Sequence, residues 1–151
     1  MNYLIQLINN SILQTAVIGW FSAQAIKIII TLIKEHRLDF TRFFGSGGMP
    51  SSHASFTVSL ATSVGFLEGF GSTVFALAAA FSIVVMYDAT GVRRSAGEQA
   101  VILNKIVEKI GKEHISETGR KLKELLGHTP VEVFAGALLG IFIAFVRYFC
   151  F

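Results

Sequence analysis

The chain has 151 residues, of which 52% are hydrophobic and 15% charged, with a mean hydropathy of +0.60. That length suits one domain, and a soluble domain of this size needs far more polar surface, so a single integral-membrane unit over residues 1–151 is expected. The formal charge is +3 and the pI near 9.2. Because the basic residues flank apolar segments, anionic lipid headgroups are the expected partner and nucleic acid is not. One cysteine, Cys150, and two prolines exclude an internal disulfide framework and a Pro-rich linker. No Lys or Arg precedes Lys27, so the start lacks the basic region of a secretory signal peptide.

In chain order, residues 1–10 form an uncharged lead-in, read as a short interfacial turn of helix. A helix needs about 20 apolar residues to cross the hydrocarbon. Four segments approach that: 11–33, 51–69, 71–89 and 130–149. The third is clearest, since Val74 to Tyr87 carries no charge; the first holds Lys27 and the fourth Glu132. The expected fold class is therefore all-α, a polytopic membrane bundle of about four transmembrane helices with amphipathic interfacial helices.

Glu68 to Ser72 is a tight turn, whereas residues 34–50 and 90–129 read as long connections holding 11 of the 13 basic residues. With four spans both connections fall on one side, and the positive-inside rule makes that side cytoplasmic. Both termini then lie outside a bacterial inner or plasma membrane, where Arg147 could snorkel outward. Within the second connection, Leu103, Ile106, Val107 and Ile110 recur at helical spacing opposite Lys105, Glu108, Lys109 and Lys112. Leu122, Leu125 and Leu126 repeat the pattern after Gly119. Two short amphipathic helices are expected, lying on the interface or packed on the bundle as a hairpin.

Two helix starts carry chemistry. Gly45 to His53 reads Gly-Ser-Gly-Gly-Met-Pro-Ser-Ser-His. Its glycines, Gly48 among them, let backbone approach an anion, and Ser51 or Ser52 can cap a helix whose first N–H groups favour negative charge. His53 adds a group that titrates near neutral pH, as a leaving oxygen requires. An ordinary capped helix start with an interfacial histidine explains the segment equally well. The second start, Gly127-His-Thr-Pro-Val-Glu132, places Thr129 as N-cap, Pro130 at the first helical position and Glu132 at N3. The capping box leaves His128 unexplained. A hydrogen bond from the His128 ring to Glu132 would fix its tautomer and free the other nitrogen for attack.

Cations are available nearby. Lys27 and Lys34 are seven apart on one helix face, about 10 Å along it. A lysine inside a span is a functional candidate, with snorkelling as the alternative. Asp88 ends the third span and suits holding Arg93, Arg94 or Lys27 in place. Arg93 and Arg94 offer planar guanidinium groups for bidentate phosphate contact, one of the pair in the site and one outside, or serve as positive-inside anchors. Gly136 and Gly140 read as close helix packing. His36 and His114 read as solvated, and no ligand spacing demands a metal from His53, Asp88, His128 and Glu132.

These residues resemble the divergent branch of the type-2 phosphatidic acid phosphatase superfamily, related to acid phosphatases and vanadium haloperoxidases. The resemblance covers roughly Gln24 to Gly140. It rests on Gly47 to His53, on Tyr87 to Arg94 with Ala96 to Ala100, and on Gly127 to Glu132. The wider superfamily carries Lys-x6-Arg-Pro, Pro-Ser-Gly-His and Ser-Arg-x5-His-x3-Asp. Lys27 matches the first lysine, with Lys34-Glu35 in place of Arg-Pro. Pro50-Ser51-Ser52-His53 matches the second motif with Ser52 for glycine. His128-x3-Glu132 ends the third with Glu for Asp, while Leu122 stands where its arginine belongs. The resemblance implies His128 as nucleophile, Glu132 as its orienting partner and His53 as general acid. Lys27 and Ser51, with nearby backbone N–H groups, would hold the phosphate, and no cofactor is implied. Arg93 or Arg94 is our candidate for the missing guanidinium.

The expected function is a membrane-embedded phosphatase acting on a lipid phosphomonoester or diphosphate through a phosphohistidine at the cytoplasmic face. The alternatives are a non-enzymatic phospholipid-binding or lipid-transport protein that keeps the anion site, and a purely structural membrane subunit. Four spans make a thin bundle, which suggests a homodimer with the Gly136/Gly140 face as one contact.

Overall fold

A computed structural model describes residues 2–36, 48–110 and 127–150. Among the described residues there are six helices and no strand: α1 (Asn2–Ile8), α2 (Ser11–Glu35), α3 (Ser52–Glu68), α4 (Thr73–Thr90), α5 (Val92–Ile110) and α6 (Pro130–Cys150). The starts follow local chemistry. Asn10, Ser51 and Ser72 each turn a side-chain oxygen onto the backbone N–H three residues on, at Leu13, Ala54 and Phe75. The turn after α3 closes through Gly69, whose φ of +90° suits only glycine.

The four expected spans correspond to α2, α3, α4 and α6, but they are not equivalent. Three stretches are long and apolar enough to cross a membrane: Ser11–Lys34, Thr73–Val107, which takes in α4, and Pro130–Cys150. The 17-residue α3 is instead the central helix, packed by α2, α4 and α6. It is rich in small hydroxyl residues, and Ser52, Ser55, Thr57, Ser59 and Ser63 are buried. Small side chains let neighbouring backbones come close, and in an apolar surrounding their hydroxyls need partners. They find backbone carbonyls: Ser55 donates to Gly19 (2.9 Å), Thr57 to His53 (3.0 Å) and Ser59 to Phe56 (3.0 Å). Ser82 of α4 donates across to the Thr57 carbonyl at 2.8 Å. Phe and Leu side chains of α4 and α6 point outward, as a bilayer-facing surface requires.

Two expectations are corrected. The first amphipathic helix expected in the second connection is present but starts earlier than the segment from Leu103: α5 begins at Val92, with only Gly91 between it and α4. Its apolar residues Leu103, Ile106 and Val107 remain exposed, while Gly97, Ala100 and Asn104 form the buried side. That orientation suits an interfacial helix rather than one whose apolar face packs on the bundle. The second amphipathic segment, Leu122 to Leu126, lies outside the described residues. The other correction concerns the expected dimer contact. Gly136 and Gly140 are buried against α3, where an added Cβ would lie 2.3 Å from the Ser51 carbonyl oxygen and 2.7 Å from that of Ser55. That face is used within the chain and is not available to a second copy.

Candidate functional site

The two histidine-bearing helix starts meet at one end of the bundle. The Ser51 N–H donates to the Glu132 carbonyl at 2.9 Å, which ties the start of α3 directly to the first turn of α6. Gly136, one turn further, allows the close approach, because any side chain there would collide with backbone. The His53 and His128 rings consequently lie 6.2 Å apart between centroids, at 65° to one another.

His128 is 3% exposed and is held from two directions. Its backbone N–H donates to the Ala89 carbonyl at the end of α4 (3.0 Å). Gly127 makes that possible: a Cβ there would sit 2.5 Å from the Arg94 backbone nitrogen and 2.9 Å from the Ala89 oxygen. The ring Nδ1 lies 3.2 Å from Glu132 Oε2. With Nδ1 as the donor to that carboxylate, Nε2 carries the lone pair.

Glu132 also completes the capping box. The Thr129 N–H donates to the same Oε2 at 3.0 Å, and the Glu132 N–H donates to Thr129 Oγ1 at 3.4 Å. Structural and chemical readings of Glu132 thus coincide on one oxygen rather than dividing between two.

Lys27 is 4% exposed and does not snorkel to the surface. Its Nζ donates to Ser52 Oγ at 3.4 Å, so the ammonium is turned from α2 onto the first turn of α3. Ser51 is fully buried and serves as N-cap. Gly48 holds a φ of +83°, with open space where a Cβ would be.

Lys34 is exposed in the last turn of α2, so the two lysines do not share an environment. Asp88 is half-buried in the last turn of α4. Arg94 is exposed, its Nε 3.1 Å from Glu98 Oε1 one turn along α5. Arg93 lies on the first turn of α5, with its side chain outside what is described, as are residues 45–47. Among the described residues no group of three or more His, Cys, Asp and Glu is placed to hold a metal ion.

Sequence reading missed the carbonyls of Ala89 and Ser51 as architectural contacts. Backbone acceptors carry no residue-type signal, but the glycines opposite them, Gly127 and Gly136, do.

A family model described as the divergent PAP2 family matches residues 8–143. Among curated proteins, the chain is 41% identical to the uncharacterized membrane protein YuiD of Bacillus subtilis (strain 168), across 93% of this chain and 96% of that protein. No solved structure matches the chain. With its membrane-length helices and the histidine motifs brought together at one end, the chain belongs to the divergent PAP2 family of membrane proteins.

Proposed function

We propose that this protein is a lipid phosphate phosphatase working through a phosphohistidine on His128. The observation that carries the reading is the approach of the His53 and His128 rings to 6.2 Å, with Glu132 behind His128 and Lys27 bonded to Ser52 in the first turn of α3. An attacking atom needs about 3–3.5 Å to phosphorus, and a proton donor needs about 3 Å to the leaving oxygen. A phosphoryl group fits an interval of that order.

His128 Nε2 attacks phosphorus as the bond to the lipid oxygen breaks, and His53 protonates the departing alkoxide. Water then attacks the phosphohistidine, giving its proton to His53 and releasing inorganic phosphate. Glu132 stabilises the charge that develops on His128. Lys27, the Ser52 hydroxyl and the first N–H groups of α3 balance the phosphoryl oxygens. Arg94 is engaged by Glu98, so Arg93 is our choice for the guanidinium that the divergent motif lacks.

The charge bias of the sequence favours the cytoplasmic face, and with it phosphomonoesters made inside, such as phosphatidic acid or phosphatidylglycerol phosphate. Purified protein should release phosphate from such lipids without added metal, with inhibition by vanadate, and His128→Ala should abolish release. Full activity in His128→Ala excludes the nucleophile. Labelling of single cysteines at positions 46 and 95, in a Cys150→Ser background, tests sidedness. Modification by an impermeant reagent from outside intact cells overturns the cytoplasmic assignment.

One observation favours a second reading, a phosphate-lipid-binding protein without turnover: the Arg94–Glu98 pair takes one of the two candidate guanidinium groups out of the site. Lipid that copurifies with the protein, with no phosphate release across a broad panel, decides for that reading.

A further inference from the structure

Along α6, Arg147 lies about 22 Å from Glu132 at 1.5 Å per residue, so it belongs to the opposite end of the bundle. There a cavity of about 270 Å³ opens between the start of α2 and the ends of α3 and α6, lined by Ser11, Thr15, Ser63, Leu67, Arg147 and Tyr148. Arg147 is half-buried, and Gln14 sets its orientation. The Gln14 amide nitrogen donates to the Ile8 carbonyl (2.8 Å), which turns Gln14 Oε1 toward an Arg147 amino group at 3.3 Å. Arg147 Nε is buried and meets no acceptor, and among the described residues no carboxylate pairs with this cation.

We propose that Arg147 anchors a second oxyanion site, taking a phosphate group at the membrane face opposite the histidines. A guanidinium has five donors in a fixed fork, and one acceptor satisfies only part of it. A half-buried guanidinium that meets no carboxylate among the described residues favours an anion, and the phosphate oxygens offer the bidentate acceptor that the fork matches. Ser11 and Tyr148 add hydroxyls to the lining, while the Thr15 hydroxyl is committed to the Ser11 carbonyl at 2.7 Å. The space exceeds several times the roughly 30 Å³ that one water occupies, and the positive end of α2 borders it. Tyr148 of the lining stacks on Phe66, which meets Phe145 and Phe149 in one aromatic cluster, as aromatic side chains gather at headgroup level. A lipid phosphodiester from that leaflet and free inorganic phosphate present the same chemistry to this fork.

The test is binding to full-length protein in neutral detergent, read as thermal stabilisation by phosphatidylglycerol, phosphatidylcholine and inorganic phosphate separately. Stabilisation by either phospholipid but not by inorganic phosphate identifies a lipid headgroup, and stabilisation by inorganic phosphate as well identifies a free-oxyanion site. In either case Arg147→Gln should weaken binding about tenfold or more, while His128→Ala retains it. Leu67→Trp, at the exposed rim, fills the cavity with Arg147 in place and should produce the same loss even if Arg147→Gln fails to fold. Equal affinity in His128→Ala protein with and without Arg147→Gln or Leu67→Trp, or no anion-dependent shift at all, overturns the proposal. The readout is binding in a His128→Ala background, so it stands or falls separately from phosphatase activity.

Discussion

Alanine at Gly136 adds one methyl group, and the structure fixes where it would go. The new Cβ would lie 2.3 Å from the Ser51 carbonyl oxygen and 3.1 Å from the Ala54 Cβ. An ordinary nonbonded contact is about 3.5 Å, so α6 and α3 must separate locally by about 1 Å. Neither neighbour is a flexible side-chain tip that can swing aside. The Ser51 N–H is also bonded to the Glu132 carbonyl one turn before the glycine, so separation strains the link between the two histidine-bearing helix starts. Overpacking of this kind costs about 1–3 kcal/mol. A displacement of about 1 Å between His53 and His128 is expected to lower turnover about 100-fold. Thermal unfolding in detergent reads the first effect and phosphate release the second. Gly71→Ala is the control, because a Cβ there meets nothing within 4 Å. Wild-type stability and turnover in Gly136→Ala would refute the close α3–α6 approach as the device that assembles the site.

Glu132→Gln keeps the capping pattern but removes the charge behind His128. Turnover is expected to fall about 100-fold or more, with unfolding almost unchanged, whereas Glu132→Ala should also lose about 1 kcal/mol of cap stability. Lys27→Met replaces a buried cation by an apolar chain of similar length. Unfolding should stay level or improve, while vanadate inhibition weakens, and undiminished vanadate affinity would remove Lys27 from the phosphate site. Arg94→Ala breaks an exposed i,i+4 pair and should shift stability by no more than about 0.5 kcal/mol with turnover retained. Arg93→Ala should cost turnover instead, and the reverse pattern in a phosphate-release assay would reassign the guanidinium to Arg94.

Much of the local structure was legible because its causes are local. Ser51 caps the helix it precedes, and Thr129 with Glu132 forms the expected box, since each bond spans three residues. Motif spacing also identified His53 and His128 as a pair, although it said nothing about their separation. The boundary at Val92 was harder. Gly91 and the charges after it read as the beginning of a connection, yet the Gly91 N–H still bonds to the Tyr87 carbonyl and helix resumes at once. Composition suggested four spans. It could not reveal that the serine-rich one sits in the middle, because centrality depends on how many neighbours a helix has.

The sequence by itself determined an all-α membrane chain, the helix starts at Ser52 and Pro130 and the residue types available for phosphate chemistry. Periodicity and capping require only neighbours along the chain. Tertiary structure decided which way key side chains face: Lys27 onto Ser52 across 25 residues, Arg147 onto Gln14 across 133, and Gly136 against Ser51. Those outcomes depend on the rotation and spacing of packed helices. They are set by where small side chains let two backbones touch.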